Sequence, residues 1–331
     1  MAGGDKGHIY IWCPDVNDPV GGIKILYRHV DLLNAAGISA TLLHNSPGFR
    51  CTWFENRTII GTRSLSELRP FDFVMIPEVA GDSLREPTAA TKIVFNQNCY
   101  YTFKNLDVST YRAAADLYRD VQACLVVSED SRAYIRHAFP ELPVYRVHNS
   151  IDPSVFFPQA RKSLQICFMP RKNADDAAQV FAVLGRRGVL DDVRVVAIDG
   201  VAEHVVSEIM AESSIFFSFG DPEGSPLPPA EAMLAGCIVV GYHGFGGREY
   251  FRRRFCYPIS RGDIRTFVQV AERVISMMRE GHPELTARSE AARQFIATQY
   301  SPERERRDIL RFWRRILGDH GRVFQAERST Y

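Results

Sequence analysis

Two acids, Glu223 and Glu231, lie within the string Glu223-Gly224-Ser225-Pro226-Leu227-Pro228-Pro229-Ala230-Glu231-Ala232-Met233-Leu234-Ala235-Gly236. The string follows the apolar run Ser214-Ile215-Phe216-Phe217-Ser218. Proline is favoured in a first helical turn, so Pro228-Pro229 is expected to start a helix, and Gly236 is placed to end it. The amides of Ser225 to Leu227 and of the helix start would then be free, where a phosphate can sit. Glu223 in the loop and Glu231 about one turn into the helix can accept hydrogen bonds from several hydroxyls of one ligand. An anion site flanked by hydroxyl acceptors suits a sugar nucleotide. On the two carboxylates alone a plainer reading also stands: Glu231 favours a helix start, and Glu223 is a solvated loop acid.

A second glycine-bearing turn lies near the start of the chain. Gly21-Gly22 precedes a helix expected to run through Leu33 and to end at Gly37. Bare backbone at a helix start lets a phosphate or sugar approach closely. The alternative for a Gly-Gly pair is a flexible loop.

The elements that must carry these loops are short apolar runs alternating with helical segments. His8 to Trp12, Ile38 to Leu43, Phe73 to Ile76, Ile93 to Phe95, Cys124 to Val127 and Val144 to Val147 read as strands. Runs apolar on both faces and separated by helices indicate a parallel sheet covered on both sides. Ser128 is placed to cap the helix that follows one of them, with Glu129 and Asp130 in its first turn. The pattern pauses from Asn149 to Pro158, which reads as a linker. It resumes with strands at Leu164–Met169, Val193–Ile198, Ser214–Ser218 and Cys237–Gly241. Helices dominate from Ile264 onward. The expected fold class is therefore α/β, with two Rossmann-like doubly wound domains facing across a cleft. The expected divisions are 1–155, 156–300 and a C-terminal helical segment 301–331. In such sheets ligands bind beyond the carboxyl ends of the strands, which is where both loops lie.

The chain has 331 residues, 46% of them hydrophobic and 24% charged, an ordinary globular composition long enough for two domains. Its 40 basic and 39 acidic residues give a net charge of +1, which argues against a nucleic-acid coat or an acidic tail. No apolar run reaches the roughly 20 residues of a membrane span, and the polar start lacks the long hydrophobic core of a secretion signal. Seven widely spaced cysteines match no zinc or redox motif and read as buried thiols in a reducing cytoplasm. Arg304, Arg306, Arg307, Arg311, Arg314 and Arg315, with Phe312 and Trp313, offer a peripheral contact to the inner face of an anionic membrane. The interleaved Glu303, Glu305 and Asp308 favour a solvated helix face instead.

As a whole, the string from Glu223 to Gly236 resembles the E-x7-E motif of the retaining glycosyltransferases of family 4, whose fold is GT-B. Their pattern is Glu-Gly-x-x-Leu-Pro-x-x-Glu-Ala-Met-Ala-x-Gly. The chain departs from it at Leu234, where a small residue is common, and at Ser225-Pro226, where Phe-Gly is usual. Val126-Val127-Ser128, Val147-His148-Asn149-Ser150-Ile151-Asp152 and Phe157-Pro158 look like that family's end of the first domain. Gly21-Gly22 looks like its N-terminal glycine loop. The resemblance implies that the second domain holds most of the donor nucleotide. It also implies that the first takes the acceptor and that the C-terminal helix crosses back onto the first.

The resemblance also implies roles. Glu223 would meet the donor sugar and Glu231 the ribose hydroxyls, with Gly224, Ser225, Pro226 and Leu227 forming the donor loop. An Arg and a Lys follow the first strand of the family's second domain and stabilise the departing diphosphate. Here that place reads Met169-Pro170-Arg171-Lys172-Asn173. The two bases are adjacent, so either one or both reach the phosphates, and a solvated turn is the alternative. Gly244-Phe245-Gly246-Gly247-Arg248-Glu249 resembles the Gly-rich turn near the donor, where Arg248 is either a further phosphate contact or an ordinary surface arginine. The family often has a histidine in the first domain where this chain has Asn96-Gln97-Asn98. One of these amides would supply a neutral hydrogen bond to the sugar in its place, or the three form an amide-rich turn.

The expectation is thus a retaining, metal-independent glycosyltransferase with Glu223, Arg171 and Lys172 at the catalytic centre. It would move a sugar from a nucleoside-diphosphate donor to a hydroxyl of a glycan, a lipid-linked or a small-molecule acceptor. No nucleic acid is expected as partner, and no cofactor beyond the sugar nucleotide as co-substrate. No D-x-D sequence is present to hold a divalent ion on the diphosphate. The rivals are a nucleotide-sugar epimerase or hydrolase of the same fold, and a non-catalytic nucleotide-sugar binding protein.

Overall fold

The computed structural model describes residues 7–319; the outer parts of the first and last expected segments, residues 1–6 and 320–331, lie outside the described residues. The chain divides into two units. The first comprises residues up to Val147 together with those from Glu305 onward, and the second spans His148–Arg304.

The first unit is built on seven strands: β1 (Ile9–Trp12), β2 (Ala40–Leu43), β3 (Ile60–Gly61), β4 (Phe73–Pro77), β5 (Thr91–Asn96), β6 (Val121–Val126) and β7 (Val144–Arg146). Their order in the sheet is β3-β2-β1-β4-β5-β6-β7, and every pairing is parallel. All five residues of β4 are buried, because the sheet is covered on both faces. Helix α1 (Gly21–Ala35) follows β1 and α2 (Glu129–Ala138) follows β6. The Ser131 N–H donates to the Ser128 side chain, which caps α2.

The second unit has five strands: β8 (Ser163–Phe168), β9 (Arg194–Ala197), β10 (Ser213–Ser218), β11 (Ile238–Gly241) and β12 (Tyr257–Pro258). Their order is β12-β11-β10-β8-β9, again with every pairing parallel. The intervening helices are α3 (Ala174–Arg186), α4 (Glu203–Glu212), α5 (Leu227–Leu234), α6 (Ile264–Arg279) and α7 (Pro283–Gln299). Alternation along the strands divides the core into two layers. Phe216 and Val239 point to the face packed with Met210, Met233 and Ile296. Ile215, Phe217, Ile238 and Val240 point to the other, with Val180, Leu184, Phe267 and Val274.

The last helix, α8 (Pro302–Asp319), starts at a proline, which is favoured in a first helical turn. Its apolar stripe Ile309, Leu310, Phe312, Trp313, Ile316 and Leu317 is buried. Within the first unit, the Trp313 indole N–H donates to His29 Nε2 of α1 at 2.8 Å. Trp313 also lies edge-on to Phe73, with ring centroids 6.1 Å apart. Arg28 pairs with the buried Glu305 at 2.8 Å. This corrects one expectation: Phe312 and Trp313 fill the core of the first unit and do not reach a membrane. No helix among the described residues is long and apolar enough to cross one. All seven cysteines are buried free thiols.

Candidate functional site

In the second unit three loops at the carboxyl ends of β8, β10 and β11 meet, as the parallel sheet requires. The loop after β8 carries Arg171, Lys172 and Asn173. Asn173 adopts a left-handed conformation, φ 51°, ahead of α3. Asparagine tolerates that region, and its short amide reaches neighbouring backbone. Here it donates to the carbonyls of Phe219 at 2.7 Å and Asp221 at 3.0 Å, tying the first loop to the second. Lys172 follows the same path. Its Nζ lies 2.8 Å from Glu223 Oε1 and donates to the Pro222 carbonyl at 3.0 Å. The two side chains are 24% and 26% exposed, so the pair sits at the surface of the loop and is only partly screened. Arg171, its neighbour, is exposed.

The turn after β11 is joined to the same loop backbone to backbone. The Glu223 N–H donates to the Gly244 carbonyl at 2.8 Å, and the Gly246 N–H donates to the Glu223 carbonyl at 3.0 Å. Such an approach leaves no room for side chains. A Cβ on Gly246 would stand 1.9 Å from the Gly224 carbonyl oxygen. Gly244, at φ +61°, would place its own 2.7 Å from Glu223 Cβ. The buried Tyr250 hydroxyl donates to the Pro226 carbonyl and fixes the far end of the loop. Arg248 is exposed, its guanidinium 4.7 Å over the Phe245 ring.

Helix α5 begins at Leu227 with proline in its first turn and ends before Gly236, which has φ +84°. Glu231 is half-buried in its second turn. One expectation needs correcting on covalent grounds. Pro226, Pro228 and Pro229 have no N–H, so the donors from 224 to 230 reduce to Gly224, Ser225, Leu227 and Ala230. Neither the Ser225 nor the Leu227 N–H has an acceptor among the described residues. Gly224 and Pro226 are buried, and Ser225 and Leu227 half-buried. The loop is thus a rigid frame presenting two amides, beside Glu223 and Lys172.

Asp221 was not singled out in the sequence. It is 6% exposed, with Oδ1 at 3.6 Å from Arg261 and no hydrogen-bond donor to that atom among the described residues. Burial pushes its carboxyl up, against the pull of Arg261, His243, Lys172 and Arg248. The only signal for it was an acid placed just after an apolar strand.

In the first unit, Gly21 and Gly22 open α1 at the carboxyl end of β1. The three amides at the carboxyl end of β5, Asn96 to Asn98, take separate roles. Asn96 is fully buried, and its Nδ2 donates to Thr102 Oγ1 at 2.7 Å, so its side chain is committed to the core. Asn98 is also buried, and its Oδ1 accepts from the Tyr100 N–H at 3.2 Å. Gln97 is half-buried and turns to the glycine pair, donating from Nε2 to the Gly22 carbonyl at 3.1 Å. Behind this turn lies Glu78, another residue the sequence did not flag, at the end of β4.

No protein-family model matches the chain. A curated relative, an alpha-1,6-glucosyltransferase of Actinobacillus pleuropneumoniae serotype 7 (strain AP76), is 28% identical over 243 residues, 70% of this chain and 71% of the relative. Among solved structures, sucrose-phosphate synthase from Thermosynechococcus elongatus superposes with a TM-score of 0.72 at 10% identity, covering 95% of this chain and 100% of that one. Anabaena HepE in complex with UDP and glucose gives 0.66 at 14% identity, covering 96% and 100%. The two parallel sheets with their helices give this chain the fold of the GT-B glycosyltransferases.

Proposed function

We propose that the protein is a retaining glycosyltransferase of the family 4 type, transferring a sugar from a nucleoside-diphosphate donor to an acceptor hydroxyl without a metal ion. The observation that carries this reading is the Lys172–Glu223 pair at 2.8 Å, set in a loop that two glycines and Asn173 hold rigid. Lys172, with Arg171 beside it, supplies fixed positive charge for a departing diphosphate, and preorganised charge is the largest catalytic term where a leaving group becomes anionic. Glu223 accepts hydroxyls of the transferred sugar and Glu231 those of the ribose. The amides of Ser225 and Leu227 receive phosphate oxygens. The second unit handles the donor, and the first, through Gly21, Gly22 and Gln97, meets the sugar and acceptor.

In the reaction the bond from the anomeric carbon to the diphosphate oxygen breaks. The bond to the acceptor oxygen forms on the same face, and the acceptor proton passes to the departing diphosphate. No side chain is needed as nucleophile; the protein contributes orientation and charge stabilisation. The glucosyltransferase relative, and the UDP and glucose bound to HepE, make UDP-glucose the first donor to try. The test is incubation with a panel of sugar nucleotides, with and without EDTA, followed by product analysis. Transfer with retained anomeric configuration in EDTA supports the reading. Epimerised donor, binding without turnover, or activity abolished by EDTA and restored by magnesium overturns it.

A further inference from the structure

Glu78 is a buried acid placed behind the first unit's candidate contact. It stands just after β4, 7% exposed, and each carboxylate oxygen takes one backbone N–H: Gln97 to Oε2 and Asn98 to Oε1, both at 2.9 Å. The amides it grips belong to the turn whose Gln97 side chain holds the Gly22 carbonyl. Gln97 Oε1 is itself buried and has no hydrogen-bond donor among the described residues, which leaves an acceptor for a ligand hydroxyl. An unbroken chain of hydrogen bonds therefore runs from Glu78 through the Gln97 backbone and side chain to the opening turn of α1.

The two-handed grip depends on charge. A carboxylate offers both oxygens as strong acceptors, whereas protonation places an O–H on one of them and leaves it a weaker acceptor for the N–H it faces. Burial pushes the Glu78 carboxyl up to about 7 despite the two amides, so the charge changes in the neutral range. The titratable groups that face it, Cys99, Tyr118 and Cys124, are all held uncharged there by their own burial.

We propose that Glu78 is a positioning residue that sets, through its own protonation, how Gln97 presents its carboxamide to the transferred sugar. The inference rests on the glycosyltransferase reading for the identity of the ligand, and on the hydrogen bonds and burial of the Glu78 carboxyl for the switch.

The experiment has two arms. In the first, the backbone amide resonances of Gln97 and Asn98 are followed in the free protein from pH 5.5 to 8.5. Both are expected to move together with one midpoint near 7, and Glu78→Gln abolishes that midpoint. In the second, UDP release from UDP-glucose is measured over the same range. The wild-type kcat/KM falls about tenfold per pH unit below the midpoint. The limb disappears in Glu78→Gln and in Gln97→Ala, although the amide of Asn98 still titrates in Gln97→Ala. Amides that do not respond to pH, or a limb that survives in either variant, overturn the proposal. If no sugar nucleotide is turned over at any pH, the glycosyltransferase reading fails, and the amide titration alone decides whether Glu78 switches the turn. Should Glu78→Gln not fold, the wild-type resonances and Gln97→Ala carry the decision.

Discussion

Replacing Gly246 by alanine is expected to dismantle the motif loop from a distance. The new Cβ would lie 1.9 Å from the Gly224 carbonyl oxygen, and carbon atoms of that kind do not come within 3.0 Å of a neighbour. The two backbones must therefore part by about 1 Å, the shortfall between these distances. That separation breaks the hydrogen bond from the Gly246 N–H to the Glu223 carbonyl, and with it the bond from the Glu223 N–H to the Gly244 carbonyl. Two backbone bonds at roughly 0.5–1.5 kcal/mol each, with strain of roughly 1–3 kcal/mol, give a destabilisation of about 2–6 kcal/mol. Because Glu223 rides on the same backbone, transfer should fall by more than tenfold in the fraction that remains folded. The control is Gly185→Ala in α3, where a Cβ meets nothing within 4 Å. There the same change should stabilise by about 0.5–1 kcal/mol through helix propensity. Urea denaturation of both variants, with UDP release assayed under native conditions, reads out stability and activity separately. If Gly246→Ala unfolds like the wild type and keeps its turnover, the joined loops do not position Glu223.

Lys172→Ala should weaken UDP binding roughly ten- to a hundredfold, the cost of one charge-assisted hydrogen bond, and leave uridine binding unchanged; calorimetry showing equal losses for both would place the lysine elsewhere than on the phosphates. Glu231→Ala should weaken uridine and UDP alike, whereas Glu223→Ala should spare UDP and lower transfer; wild-type transfer in both folded variants would remove the motif from the reaction. His29, buried against Trp313 and lowered by burial to about 3, folds as the neutral ring. Its contribution is fully present above pH about 6.5 and is lost as pH falls toward 3, at up to roughly 1.4 kcal/mol per pH unit. Urea curves at pH 7 and 5 should show that loss and His29→Gln should reduce it; identical pH dependence in the two proteins would refute the assignment.

The strands were legible wherever burial on both faces had left a continuous apolar run, as in β4, β6 and β10. The two-residue strands β3 and β12 had no run to read, since two residues paired at a sheet edge leave no periodic trace. The loop from Glu223 to Gly236 was legible because its chemistry is local: glycines that allow close approach and prolines that start a helix. Glu78 and Asp221 were not legible, because their burial is produced by segments distant in sequence. The same holds for Trp313. In the sequence it stood beside an arginine cluster as a membrane contact, because the surface that covers it is contributed by residues near position 29 and by β4. Among the three amides at the end of β5, composition offered no way to choose Gln97; only the fold turns Asn96 inward and Gln97 toward Gly22.

The return of α8 to the first unit has a consequence for synthesis. A ribosome that has just released Val147 has delivered every strand of the first sheet, yet the indole that packs against Phe73 and His29 is still about 166 codons away. At roughly 5–20 residues per second, that interval lasts on the order of ten to thirty seconds. Throughout it Phe73 and His29 lack the indole that packs against them in the finished unit. The second unit, contiguous in sequence from His148 to Arg304, is complete before the first. The order of maturation is therefore inverted relative to the order of translation, and the nascent first unit is the stage at which a chaperone would find its client.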